Sequence, residues 1–478
     1  MNCDLVVIGA GAAGLAAART ARSAGRSVAL LDVARPGGDC THYGCVPSKT
    51  VLDVAHRVAG ARAAQQWGLP PVADVDFGQV MSHVRAVIAD VERDESPQQL
   101  AGEGIDLVRG WACFTGPHSI DVDGRRLDAS RFVLATGAHA AIPPVPGIGD
   151  VAHLTNGNVF ELTERPAHLL VLGGGPIGVE LAQAFAQLGS RVTLIEAAPR
   201  ILVKEEPEVS SIIAAVLERD GVEVRTGAAV EQVSAGPALQ LAGGGTVSGS
   251  HLLVAVGRSP AAAGMGLDRA GVVTGSRGEI VTDRYLRTSA RHIFAAGDCT
   301  SLLQFTHVAD EQGRLAAGNA FASQRAVPGL PGGLKAFDTR VVPWVTFTDP
   351  EVGRVGMSEQ QAFAAYGRRA RVAVVSLAEM DRPRTAGHTD GYLKLITGPR
   401  RLAPSHLLDE VIGLTAVGPA GGELAAYGAL AMQTRMLAAR LAQTTAPYPT
   451  YSIGLRLAAA RLFGEFGGSS WRPAAPGT

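Results

Sequence analysis

The sequence predicts an α/β protein built from two copies of one βαβ unit, followed by an α+β module in its last third. Three observations predict it. A glycine pattern, G-x-G-x-x-G, stands at Gly9, Gly11 and Gly14 between a buried-strand run and an alanine-rich helix. The same pattern returns at Gly173, Gly175 and Gly178, each element displaced by 164 positions. From about Ala336 the chain alternates strand and helix patterns without such a glycine run.

Taken in order, DLVVIGAGAAGLAAA reads as strand, tight turn and helix, and SVALLD reads as the next strand, closing on Asp32. The spacing has a mechanical reason. The first glycine makes the turn, the second lets backbone approach a pyrophosphate, and the third lets helix pack on strand. The pyrophosphate then faces a helix N-terminus, where unpaired N–H groups favour an anion. An acid about 20 residues on accepts from ribose hydroxyls, the place of Asp32. Next comes GGDCTHYGCVPSK, Gly37 to Lys49, and then helical patterns over about Ser48 to Gln65 and Phe77 to Ala101. A strand-rich return ends in RFVLATGAHAAIPPVPG. HLLVLGGGPIGVELA and RVTLIE repeat the opening, with Glu196 as the acid. Both units are therefore Rossmann-like and two dinucleotides are expected. Ala197 and Ala198 follow Glu196 where a 2′-phosphate would need an arginine, so NADH is favoured over NADPH, although Arg200 and Lys204 lie close. LLVAVGRSP, RHIFAAGDCT and QFTHVADEQGRLAAGNA lead to the last third, with VVPWVTFTDPEVGRVG, GYLKLITG and VIGLTAVGPAGGELAAYGALAM.

Composition bounds the function. With 478 residues, 46% apolar, the chain is long enough for several buried cores. A net charge of −1 gives no electrostatic case for nucleic acid or an anionic membrane as partner, so small molecules are the expected ligands. The five cysteines are Cys3, Cys40, Cys45, Cys113 and Cys299, too few and too uneven for a secreted disulfide scaffold, and a reducing cytoplasm is expected. Asp4 and the glycines argue against a signal peptide at the N-terminus, and Pro176 and Glu180 break the second apolar stretch before it could span a membrane. The tail from Gly467 has a composition that suggests disorder. Cys40 and Cys45 stand close enough for a structural bridge, a metal site or a redox pair, and their spacing alone separates none of these.

Together these motifs resemble the class I pyridine nucleotide-disulfide oxidoreductases, the family of dihydrolipoyl dehydrogenase, glutathione reductase and mercuric reductase. The resemblance runs from Leu5 to about Phe466. It rests on both glycine patterns, GGDCTHYGCVPSK, ATGAHAAIPPVPG, AVGRSP and FAAGDCT in the family's order. It implies an FAD-binding domain over 1–148 and 265–335, an NAD(P)H-binding domain over 149–264, and an α+β dimerisation domain over 336–466 that completes the partner's active site in a homodimer. Gly9, Gly11, Gly14 and Asp32 would hold FAD, with Thr136 and Gly137 nearby and Asp298 on the ribityl chain. Gly173, Gly175, Gly178, Glu196 and Gly257 would serve NAD(P)H. Lys49 would lie near the flavin and pair with Glu180.

The resemblance also implies electrons passing from NAD(P)H through the flavin to a Cys40–Cys45 disulfide, Cys45 facing the flavin and Cys40 attacking the substrate. The residues agree with a redox role. On one continuous helix the two would lie about 7.5 Å apart along the axis, beyond the usual reach of a disulfide, so the chain must turn at Gly44. Pro47 suits the first turn of a helix beginning near Val46, which lowers a thiol pKa at Cys45. No further ligands at zinc spacing stand nearby. Cys3, Cys113 and Cys299 read as buried small hydrophobes, Cys299 beside Asp298 being worth a test.

The pattern departs from the family at one point. Disulfide-reducing members carry a His-Glu pair near the C-terminus; here APYPTYSIGLRLAAARLF puts Tyr448 at the His position and Ile453 at the Glu position. A phenol with pKa near 10 is a poor base at neutral pH, by roughly 4 kcal/mol. Expelling a thiolate needs a nearby acid, whereas binding a soft metal ion does not. Mercuric reductase also has Tyr there, yet it has a C-terminal cysteine pair, and no cysteine follows Cys299. The expected acceptor is a soft metal ion such as Hg(II), a quinone or another small oxidant. The alternatives are a dihydrolipoyl dehydrogenase or glutathione reductase type of disulfide reductase, and a low-turnover redox sensor binding FAD and NADH. His42 reads as a packing or capping residue, with a surrogate acid-base role as the alternative, and His307 as structural and near the flavin.

Overall fold

The computed structural model describes residues 2–323, 326–400, 408–465 and 470–476. β1 (Asn2–Ile8), α1 (Ala12–Ser23) and β2 (Val28–Asp32) form the opening unit. β1 is apolar from Leu5 to Ile8 because both of its faces are covered there: Leu5 and Val7 enter one core, Val6 and Ile8 another. α2 (Gly38–His42) and α3 (Cys45–Ala63) carry the cysteines. α4 (Phe77–Glu92) stops earlier than the helical pattern suggests, and a separate α5 (Pro97–Gly102) follows. Pro97 is the reason. It lacks an N–H and holds the preceding residue extended, so Ser96 becomes the cap of a new helix.

β3 (Asp106–Arg109), β4 (Ala112–Gly116), β5 (Ser119–Val122) and β6 (Arg125–Leu134) complete a sheet in the order β3-β2-β1-β6-β5-β4. β7 (Ala138–Ala140) leads out of it. β8 (His168–Leu172), α6 (Pro176–Gln187), β9 (Arg191–Ile195), α7 (Pro207–Arg219) and β10 (Val222–Arg225) form the second unit. β11 (Val230–Ser234), β12 (Ala238–Leu241) and β13 (Thr246–Ser248) make an antiparallel sheet before β14 (His251–Val254) joins a parallel one, β10-β9-β8-β14. β15 (Arg258–Pro260) pairs antiparallel with β7, so the outgoing and returning chains form one ribbon between the units. β16 (Ile293–Ala295) then rejoins the first sheet beside β6, and α8 (Thr306–Ala320) follows it.

The last third is one antiparallel sheet carrying helices. It comprises β17 (Pro343–Thr346), β18 (Glu351–Gly356), α9 (Glu359–Tyr366), β19 (Arg371–Ser376), α10 (Asp381–Ala386), β20 (Tyr392–Gly398) and β21 (Glu410–Gly418). α11 (Gly421–Gln433), α12 (Ala438–Ala442), α13 (Ile453–Arg461) and β22 (Arg472–Pro473) complete it, with strand order β17-β18-β21-β20-β19-β22. The expected disorder after Gly467 is corrected where the tail is described. Arg472 and Pro473 pair with β19, and Arg472 and the amide of Ala475 bind the Glu359 carboxylate. Residues 467–469 and 477–478 lie outside the described residues. Composition suggested disorder because the tail's few anchors are single residues that act only against β19 and α9.

The module is fastened to the second unit by buried charge. Lys394, 3% exposed, sits 3.1 Å from Glu206, 3.3 Å from Glu208 and 3.4 Å from Glu359. Arg354 meets Glu205 at 3.3 Å, and Trp344 Nε1 donates to the same carboxylate at 2.7 Å.

Candidate active site

The segment between the cysteines turns as its residues require. α2 ends at His42, and Gly44 lets the chain close on α2: a Cβ there would lie 2.9 Å from the Asp39 carbonyl oxygen. Cys45 becomes the first residue of α3, one position before the expected start, at a helix N-terminus without a side-chain cap. The Cys40 thiol donates to the Cys45 sulfur, and Thr306 Oγ1 stands 3.1 Å from that same sulfur. The bond from Cys40, aided by Thr306 and the positive charge of Lys49, draws Cys45 down to about 6, against the opposing effects of burial and Glu180. Cys40 is pushed up by the same bond and then by burial. The two shifts run in opposite directions, so Cys45 is the sulfur favoured as thiolate and Cys40 the one favoured to hold the proton.

One turn along α3, Lys49 Nζ bonds Glu180 Oε2 at 2.8 Å. Glu180 is buried on α6, and its other oxygen accepts from the Phe347 amide at 2.8 Å. Lys49 also lies over the Phe347 ring, 4.5 Å from its centre. The pair therefore ties α3, α6 and the end of β17 together beside the cysteines.

The two glycine turns are built alike. A Cβ on Gly14 would lie 1.7 Å from the Gly9 oxygen, and one on Gly178 would lie 1.9 Å from the Gly173 oxygen. Helix and strand thus touch at these positions, as the third glycine of the pattern demands. Asp32 accepts from the amides of Ala10 at 2.6 Å and Ala34 at 2.8 Å; Glu196 accepts from Gly174 at 2.6 Å and Ala198 at 2.7 Å. Thr136 and Gly137 follow β6, and Gly257 follows β14, at the carboxyl edges of the two sheets where nucleotides bind in open α/β folds.

Residues 3–313 match the family Pyridine nucleotide-disulphide oxidoreductase. The chain belongs to this family. Residues 342–459 match its dimerisation domain. Mercuric reductase of Streptomyces lividans is 36% identical over 471 residues, covering 95% of this chain and 95% of that protein. Dihydrolipoyl dehydrogenase of Thermus scotoductus is 34% identical over 472 residues, covering 96% and 97%. Among solved structures, the Cu(II) complex of the HOCl-induced flavoprotein disulfide reductase RclA from Escherichia coli aligns with a TM-score of 0.83 at 29% identity, covering 96% of this chain and 99% of that one. LpdA from Mycobacterium tuberculosis gives 0.84 at 30%, covering 96% and 99%.

The family is FAD-dependent with NAD(P)H as electron donor, and the first turn fits the flavin nucleotide. The N-terminus of α1 has no side-chain cap, and a Cβ on Gly11 would meet only the Cα of Gly38, at 3.7 Å. The open side and uncapped amides suit a pyrophosphate. At the second turn nothing lies within 4 Å of a Cβ built on Gly175, and the N-terminus of α6 is equally uncapped. Asp298 is mostly buried, which raises its pKa, while Arg258 beside it works the other way.

Of the other residues singled out, Cys299 and His42 are the buried and packing residues that the sequence suggests, while Tyr448 lies apart. Tyr448 is 71% exposed and donates to Asp381 Oδ2 at 2.9 Å, away from the cysteines of its own chain. Cys299 is fully buried, its thiol donates to the Ala296 oxygen at 3.3 Å, and burial pushes it up to about 11, so it is an inert core residue. Cys3 and Cys113 are half-buried instead of buried: Cys3 lies at the start of the central strand β1 and Cys113 on the edge strand β4. His42 is buried with Nε2 2.7 Å from the Pro36 oxygen; that nitrogen carries the proton and the ring braces the turn. His307 Nε2 lies 2.8 Å from the Pro343 oxygen.

Residues passed over in the sequence converge on the cysteine site, Thr306 on Cys45, Phe347 on Glu180, and Arg258 with Asn156 on Asp39, while Asp381 meets Tyr448 apart from it. Asp39 and Arg258 lie inside two of the recognised motifs, but their partnership spans 219 positions, which no local pattern reports.

Proposed function

We propose that this chain is a homodimeric, NADH-preferring oxidoreductase whose Cys40–Cys45 pair passes electrons to a soft metal ion. When bound, FAD supplies a carrier that accepts a hydride from NAD(P)H and passes two electrons to a disulfide. Gly9, Gly11, Gly14, Asp32, Thr136, Gly137 and Asp298 would hold it; Gly173, Gly175, Gly178, Glu196 and Gly257 would hold the nicotinamide nucleotide. Two electrons break the Cys40–Cys45 bond. Cys45 keeps a thiolate beside Thr306 and near Lys49, and Cys40 takes the proton. The Lys49–Glu180 pair holds a cation beside that thiolate.

The observation that carries the acceptor reading is Tyr448 donating to Asp381. With its proton committed to a carboxylate, which raises its pKa, the phenol is no base for Cys40. A disulfide substrate would need one. A soft metal ion strips the proton from a coordinating thiol by itself. The mercuric reductase relatives and the Cu(II) complex of RclA accord with that chemistry. The relation to dihydrolipoyl dehydrogenase keeps disulfide reduction as the second reading. For the donor, Glu196 faces the ribose position, and Arg200 is already held by the Leu202 oxygen, Ser210 Oγ and the Val203 oxygen at 3.1, 2.6 and 2.9 Å. It is not free for a 2′-phosphate.

Anaerobic NADH titration followed by stopped-flow reaction with Hg(II), Cu(II), quinones, lipoamide and glutathione disulfide tests the proposal. A long-wavelength thiolate-to-flavin band and fast metal turnover are expected, with a higher kcat/KM for NADH than for NADPH. Rapid lipoamide turnover would overturn the argument from Tyr448, and absence of the band would overturn the redox pair.

A further inference from the structure

Asp39 immediately precedes Cys40, and Gly38 beside it packs against Gly11 at the pyrophosphate turn. The carboxylate of Asp39 is committed to two donors from distant segments. Asp39 Oδ2 accepts from Arg258 Nη1 at 2.8 Å, and Oδ1 accepts from Asn156 Nδ2 at 2.9 Å. Arg258 is 13% exposed, and its Nε stands 3.3 Å from Asp298 Oδ2. Its remaining nitrogen donates to the Ala138 oxygen at 2.9 Å. Arg258 lies on β15 and Ala138 on β7, so this single guanidinium meets the turn before the cysteines, the FAD-facing acid and both strands of the ribbon joining the nucleotide-binding units. Asn156 adds a second tie, from the linker, to the Tyr43 oxygen at 3.4 Å.

We infer that Asp39 and Arg258 are positioning residues that clamp the cysteine loop to Asp298 and to the ribbon between the two nucleotide-binding units. The duties divide. Asp39 holds the loop and has no other task, whereas Arg258 serves both the loop and the counter-charge of Asp298. An isolated exposed ion pair would contribute little, but here the guanidinium is largely enclosed and is shared between two carboxylates. Losing Asp39 therefore frees the loop while leaving Arg258 on Asp298, and losing Arg258 disturbs both.

The inference rests on the reading of Cys40 and Cys45 as the redox pair, so thiol counting of the wild-type holoenzyme before and after oxidation comes first. Loss of two thiols upholds that reading, and an unchanged count overturns it independently of the clamp. The clamp is tested on reduced holoenzyme by two measurements: the alkylation rate of Cys45 at fixed pH, followed by mass spectrometry, and FAD release, followed by flavin fluorescence. Asp39→Ala is expected to alkylate at least fivefold faster while releasing FAD within twofold of wild type. Arg258→Met is expected to change both at least fivefold. Asp39→Asn keeps the shape without the charge and is expected to behave like Asp39→Ala; wild-type alkylation in either Asp39 variant overturns the clamp. FAD loss in Asp39→Ala equal to that in Arg258→Met overturns the division of duties. If Arg258→Met fails to fold, the two Asp39 variants decide alone.

Discussion

Cys45 owes its low pKa mainly to a neighbour only five positions away, the Cys40 thiol that donates to it. A Cys40→Ala variant removes that donor. The pH profile of Cys45 alkylation, expected near 6 in the reduced wild type, should move toward higher pH in the variant, because the thiolate loses its largest stabilising contact. A profile unmoved by the substitution would assign the shift to Lys49 and the helix terminus instead. Lys49 acts through charge as well as contact. Lys49→Met leaves Glu180 buried with only the Phe347 amide as donor, a cost of roughly 1–3 kcal/mol for an under-satisfied buried group, readable as a lower midpoint in urea. At this scale the cysteines, Lys49 and Glu180 were legible in the sequence because each sits inside a short motif. Thr306, Phe347 and Asp381 were not, since each acts across the fold on one atom.

Among the elements, the helix–strand contacts at Gly14 and Gly178 are tight constraints. A methyl at either position would fall inside the van der Waals surface of a carbonyl oxygen, so the helix must move off its strand. Gly14→Ala is expected to yield protein depleted in flavin, and Gly178→Ala flavin-replete protein with a raised KM for NADH; absorbance at purification and steady-state kinetics separate the two. β22 poses a different case. Its Arg472 binds Glu359, Ala474 is buried, and Trp471 lies 5.1 Å from the guanidinium of Arg371. Deleting residues 471–476 is expected to lower the melting temperature by several degrees while leaving the flavin spectrum unchanged. The glycine turns were visible from periodicity and spacing. The tail strand was not, because two residues carry no period.

For the molecule as a whole, the joint between the second unit and the last module is a buried charge cluster. Burial would depress Lys394, but Glu206 and Glu208 outweigh it and its pKa stands raised, so its contribution persists through neutral pH and is lost only in strong alkali. Lys394→Met strands buried carboxylates and is expected to destabilise by about 3–5 kcal/mol, measured by thermal or urea unfolding. The family's dimerisation domain over residues 342–459 supports a homodimer. Tyr448, exposed on its own chain, is expected to serve the partner's cysteines. Mixing Cys45→Ser subunits with Tyr448→Ala subunits should then restore turnover in the heterodimer, which carries one intact site; no recovery on mixing would place Tyr448 outside the reaction.

The sequence by itself determined the two nucleotide units, their glycine turns and acids, and the redox-type setting of Cys40 and Cys45, because those features are read from residues within about 35 positions of one another. Tertiary structure alone decided that Arg200 is occupied, that Tyr448 pairs with Asp381 and that Arg258 joins Asp39 to Asp298. Burial and long-range pairing set those outcomes, and both depend on which distant segments the fold brings against a side chain.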